Sequence, residues 1–121
     1  MGSSHEVVVT GLGVVSPIGI GCDAFWSSLT EQRSGVRPIS RFDAGPMPVS
    51  IGAEVVDFDP KQYVKPRKAL KVMCRELQTA FAASTMAAAH AGLERSSVDP
   101  MRFGSVFGGE MFYDDVNEFT D

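Results

Sequence analysis

A chain of 121 residues has room for one modest domain. With 44% hydrophobic and 21% charged residues it reads as globular rather than disordered, and its longest apolar stretch is broken by Ser84, Thr85 and His90, well short of the ~20 residues a membrane helix needs. A net charge of −4 speaks against nucleic acid as the main partner.

Residues 1–5 lack the apolar core of a secretory signal and are expected to be a flexible terminus or an expression remnant. Glu6–Thr10, three valines running into Gly11-Leu12-Gly13, predicts a strand buried on both faces. Ser16-Pro17 forces turn or extended backbone. Asp23 is the expected N-cap of a helix to about Gln32, facing a core with Phe25, Trp26 and Leu29, and Gly35 suits the left-handed position beyond its end. Residues 36–48, with three prolines, read as an irregular loop. Val49, Ile51, Ala53 and Val55 alternate with small or polar residues, as in a half-buried strand.

Asp59-Pro60 predicts an N-cap and first position of one short helical turn. A long helix is expected from about Pro66 to Ala91, closed by Gly92, with Leu70, Met73, Leu77, Phe81 and Ala88 on one stripe. Its second half is small and apolar nearly all round, which implies neighbours on several sides and a larger body than these elements build. Asp99-Pro100 opens a turn, Phe103–Phe107 predicts a third buried strand, and Glu110–Asp121 has a helical look.

Gly11-x-Gly13-x-x-Ser16 imitates a dinucleotide fingerprint, but Pro17 stops a helix from starting among the glycines, as pyrophosphate binding requires. Cys22 stands at a helix N-terminus, where a thiolate is favoured, yet no neighbouring residue supplies a base. Cys74 reads as a packing residue within the long helix. Two cysteines make neither a disulfide framework nor a zinc site and fit a reducing compartment, the cytoplasm. His90 suits the C-terminal end of the helix dipole, and no metal-ligand spacing or cofactor motif occurs. Lys65, Arg67, Lys68, Lys71 and Arg75 form a basic cluster in an acidic chain, either a solvated helix face or a docking patch for an acidic partner.

Val7-Val8-Val9-Thr10-Gly11-Leu12-Gly13-Val14-Val15-Ser16-Pro17-Ile18-Gly19 resembles the opening of β-ketoacyl-acyl-carrier-protein synthases. The likeness continues through Trp26, Leu29, Ser34-Gly35, Phe42-Asp43, Asp57-Phe58-Asp59-Pro60, Ala91-Gly92-Leu93 and Phe103–Gly109, covering roughly Glu6 to Glu118. It implies an α/β chain, part of the N-terminal half of a thiolase-like layered α/β/α/β/α architecture, with residues 6–121 a partial ketosynthase domain.

The family reaction is decarboxylative Claisen condensation of an acyl thioester with malonyl-carrier protein, in fatty-acid or polyketide synthesis. Its nucleophilic cysteine, two histidines and lysine lie beyond the matched region, so no catalytic residue carries over and this chain alone is expected to be inactive. Lys68 and Lys71 align with positions that meet the acidic carrier protein, and Met111 with an apolar residue bordering the acyl pocket near a homodimer interface. The expected partners are therefore acyl-carrier protein and, in the full-length family, a second copy, with no nucleic acid, membrane, metal or cofactor. A non-catalytic module that binds carrier protein or a longer synthase subunit is the alternative, and a fragment without separate function is a third.

Overall fold

The computed structural model of the chain describes residues 6–94 and 96–109. The mixed α/β content expected from the sequence is present, as two antiparallel ribbons and two α-helices. β1 (Val15–Ser16) and β2 (Gly19–Ile20) form a tight hairpin around Pro17 and Ile18. Ser16 Oγ closes it locally, accepting from Ile18 N–H at 3.3 Å and donating to Gly19 O at 3.0 Å. Proline fits here because the turn does not need its missing N–H.

α1 runs Cys22–Thr30 and packs on β2. Its N-cap is Gly21 at φ 89°, not Asp23, which instead supplies negative charge to the first turn. The left-handed residue after the helix is Gln32 (φ 56°) rather than Gly35. Gly35 is needed for a different reason: a Cβ there would stand 2.8 Å from Pro17 Cβ.

The segment expected to be a loop contains a strand. β3 (Val36–Pro38) pairs antiparallel with β4 (Ile51–Ala53), with Arg37 opposite Gly52. Pro38 is tolerated at the end of so short a ribbon. Glu54 ties off the connection, accepting from the Ser40 hydroxyl at 2.8 Å, Ser40 N–H at 2.9 Å and Arg41 N–H at 3.2 Å.

Asp59-Pro60 behaves as its sequence predicts. Asp59 Oδ1 accepts from Lys61 N–H at 3.0 Å and opens a 3₁₀ turn over Pro60–Gln62. The long helix, however, is two elements: a 3₁₀ stretch over Arg67–Val72, then α2 over Arg75–His90. Met73 and Cys74 between them are extended, and Gln78 Nε2 donates to the Met73 carbonyl at 2.7 Å, satisfying an acceptor that a continuous helix would have used. Periodicity runs through the break because extended residues do not erase an apolar stripe.

α2 ends as expected. Gly92 (φ 64°) donates to Ala89 O at 3.1 Å and Leu93 N–H to Ala88 O at 2.9 Å, the paired bonds of a Schellman stop. Asp99 caps a further 3₁₀ turn at Pro100–Arg102.

Among the described residues the buried apolar side chains are few: Ala44, Phe58, Val64 and Ala82. Residues 6–10 and 103–107 lie in no helix or strand, and no neighbouring strand pairs with them among the described residues. They are therefore not the buried strands expected. Val7 is 92% and Val106 99% exposed. The two segments reach a groove floored by the alanines of α2, lined by Thr10, Gly11, Ala87, Ala88, Val106 and Phe107. The alanine face expected to be enclosed on several sides is thus flanked by unpaired backbone.

Candidate functional site

The basic segment gains its shape from the turns on either side. Val64, 1% exposed, anchors the chain before Lys65, and Phe58 stacks on Tyr63 with ring centroids 5.9 Å apart. From this anchor Lys65, Arg67, Lys68 and Lys71 all project into solvent, with Lys71 on the last turn of the 3₁₀ stretch beside the 84%-exposed Val72. None of the four forms an ion pair among the described residues. The result is an open cationic surface with an apolar residue at its edge.

Arg75 does not belong to that surface, although its sequence position suggests it. Its Nη2 donates to the Val55 carbonyl at 2.7 Å and its guanidinium lies 5.1 Å from the centre of the Phe58 ring. Partial burial, reinforced by the nearby charge of Arg41, pulls its pKa below the ordinary arginine value, while Glu76 opposes the shift. Arg75 thus fastens α2 to the end of β4 and to Phe58. The basic cluster of five divides into four solvent-facing cations and one structural tie.

Cys22 and His90, 68 positions apart, meet on a single residue. Cys22 Sγ donates to Leu12 O at 3.3 Å, and Leu12 N–H donates to His90 Nδ1 at 3.1 Å. Sequence reading found no partner for either because spacing carries no information about a contact made through a third residue's backbone. His90 Nδ1 also lies 3.3 Å from Leu12 O, the acceptor of the Cys22 thiol, so both side chains sit on the backbone of one residue. Both tie the Gly11–Gly13 segment to the helices. Cys74 is the N-cap of α2 rather than a mid-helix packing residue, and its side chain makes no capping bond.

Gly11 and Gly13 serve packing instead of phosphate binding. A Cβ on Gly11 would stand 2.7 Å from Ala91 Cβ, and one on Gly13 2.7 Å from Ala87 N. The first α-helix begins only at Cys22, too late to present its N–H groups to a ligand held by the glycines. Met111 lies outside the described residues. Among the described residues no three His, Cys, Asp or Glu side chains converge, and no helix is long and apolar enough to cross a membrane.

These features have counterparts in known proteins. The profile of the beta-ketoacyl synthase N-terminal domain matches residues 4–120. The chain is 41% identical over 104 residues to 3-oxoacyl-[acyl-carrier-protein] synthase 2 of Coxiella burnetii, covering 86% of this chain and 25% of that protein. It is 41% identical over 105 residues to the putative polyketide beta-ketoacyl synthase 1 of Streptomyces halstedii, covering 87% and 25%. Among solved structures, the ishigamide ketosynthase/chain length factor superposes with a TM-score of 0.69 at 40% identity, over 75% of this chain and 22% of the other.

The fold is that of the thiolase-like α/β condensing enzymes, as the resemblance implied. The chain belongs to the β-ketoacyl synthase family and corresponds to its N-terminal domain. It spans about a quarter of the length of the curated relatives it matches.

Proposed function

We propose that this chain is the N-terminal segment of a β-ketoacyl-acyl-carrier-protein synthase, whose whole reaction is decarboxylative Claisen condensation in fatty-acid or polyketide synthesis in the cytoplasm. In this reading the segment's own contribution is recognition. Lys68 and Lys71 receive the acidic carrier protein, and Met111 borders the acyl pocket. The observation that carries the docking role is the set of four outward cations left without ion-pair partners among the described residues, a surface that favours an acidic protein by steering and complementarity.

In this reading the segment alone does not condense, since neither Cys22 nor Cys74 stands at the family's nucleophile position and His90 is not one of its paired histidines. Incubation of the purified chain with acyl- and malonyl-carrier protein is expected to yield no ketoacyl product; turnover abolished by Cys22→Ala or Cys74→Ala overturns the assignment. Titrating carrier protein against wild type and the Lys68→Glu, Lys71→Glu variant tests docking. Salt-sensitive binding lost in the variant supports it, and equal or absent binding removes it.

A second reading, a non-catalytic module that pairs with a longer synthase subunit, draws support from the exposed apolar segments at residues 6–10 and 103–107. Co-purification with a full-length family member distinguishes it, because Val7→Asp and Val106→Asp would then abolish pairing while leaving carrier-protein binding intact.

A further inference from the structure

A cleft of about 360 Å³ opens between the β1–β2 hairpin, the C-terminal end of α1 and β3, on residues with no part in the docking surface. Five hydrogen-bond-donating side chains line it: Ser28, Arg33, Ser34 and Arg37, and Ser16, whose proton goes to Gly19 O. Ser28, only 7% exposed, is the one buried polar residue among those described, and it lines the cleft.

Ser34 and Arg37 keep hydrogen-bonding capacity to spare. Ser34 Oγ accepts from Val36 N–H at 3.1 Å, which leaves its own proton available. Arg37 reaches the carbonyls of Gly35 and Pro17 only at 3.5 Å each, the outer edge of hydrogen bonding, and has no carboxylate partner among the described residues. Its planar fork retains donors for a bidentate contact. Arg33, also in the lining, is ion-paired with Glu31 and so brings donors to the wall without net charge. Asp57, also in the lining, supplies an acceptor and limits how much negative charge the cleft tolerates.

We infer that this cleft is a binding site for the phosphate group of a small phosphate monoester, held by the Arg37 fork and the Ser28 and Ser34 hydroxyls, with Asp57 accepting from a hydroxyl of the same ligand. Bidentate arginine plus neutral hydroxyl donors is the donor set that tetrahedral oxyanions take.

The test titrates the full chain with inorganic phosphate and with glycerol 3-phosphate at constant ionic strength, following its amide and Arg Nε–H resonances. Saturable shifts centred on Ser28, Ser34 and Arg37 are expected, not reproduced by chloride, with glycerol 3-phosphate the tighter ligand. Arg37→Gln should weaken both by about tenfold or more, as for a lost charge-assisted pair. Arg37→Lys and Ser28→Ala, which keep the charge and the backbone respectively, should each weaken binding and keep the readout valid if Arg37→Gln does not fold. The Lys68→Glu, Lys71→Glu variant should bind unchanged, which separates this site from the docking surface. Non-saturating shifts, equal shifts with chloride, or unaltered binding in Arg37→Lys and Ser28→Ala overturn the inference.

Discussion

Gly13 lies backbone to backbone against Ala87 of α2, so close that a single added methyl would sit 2.7 Å from the Ala87 nitrogen and 2.9 Å from the Ala83 carbonyl carbon. Both obstacles are main-chain atoms of a helix and cannot swing aside. The alanines of α2 and the glycines that precede β1 are therefore two halves of one close crossing, with Leu12 between them bonded to His90.

Gly13→Ala is accordingly expected to destabilise the chain by about 2–4 kcal/mol, the range of severe overpacking. Gly104→Ala, with nothing within 4 Å, should cost no more than about 0.5 kcal/mol. Urea unfolding midpoints of the two variants check the contrast. Comparable losses would mean that the crossing is not tight.

Cys74 occupies the N-cap of α2 with suitable extended backbone (φ −62°, ψ 166°) but offers no capping bond. Cys74→Asp should stabilise the chain by about 0.5–1 kcal/mol, since a carboxylate there can accept from the first-turn N–H groups and meets the positive end of the dipole. Cys74→Ser should give a smaller gain. A thermal midpoint unmoved in both would show that the first turn is already satisfied.

Arg75→Ala removes the bond to Val55 O and the contact with Phe58, and is expected to cost about 1–3 kcal/mol. The salt dependence of carrier-protein binding should not change, in contrast with Lys68→Glu. A variant of unaltered stability but weakened docking would return Arg75 to the cationic surface.

Glu54 carries a pH dependence. The Ser40 hydroxyl, then the Ser40 and Arg41 amides and the Arg41 charge, hold its pKa below the ordinary 4.5. A lowered folded-state value means that its contribution is complete above the unfolded pKa and disappears as pH falls through the folded one. Stability should therefore decline below about pH 4.5, and Glu54→Gln should flatten that part of the acid limb. Thermal midpoints of both proteins across this window check the sign. An acid limb identical in the variant would remove Glu54 as its source.

What the sequence made legible was local chemistry. Asp59-Pro60, Asp99-Pro100, Ser16-Pro17 and Gly92 each act within a few residues, and each does what its side chain or ring dictates. The β3 strand stayed hidden among prolines because its partner lies 15 residues away, at Ile51–Ala53. The break at Met73 and Cys74 was invisible because an apolar stripe records which face is buried, not whether the hydrogen-bond ladder continues. For the candidate site, Lys68 and Lys71 were found as charges, but separating Arg75 from them required the position of the Phe58 ring. Cys22 and His90 met only through folding.

The unpaired edges over the α2 groove have a practical consequence. Residues 6–10 and 103–107 offer free amides and carbonyls alongside valine and phenylalanine side chains, the arrangement that natural sheets blunt or cover to avoid self-association. At high concentration this polypeptide by itself is therefore expected to associate through these segments. Dilute samples are the ones in which its individual behaviour can be observed.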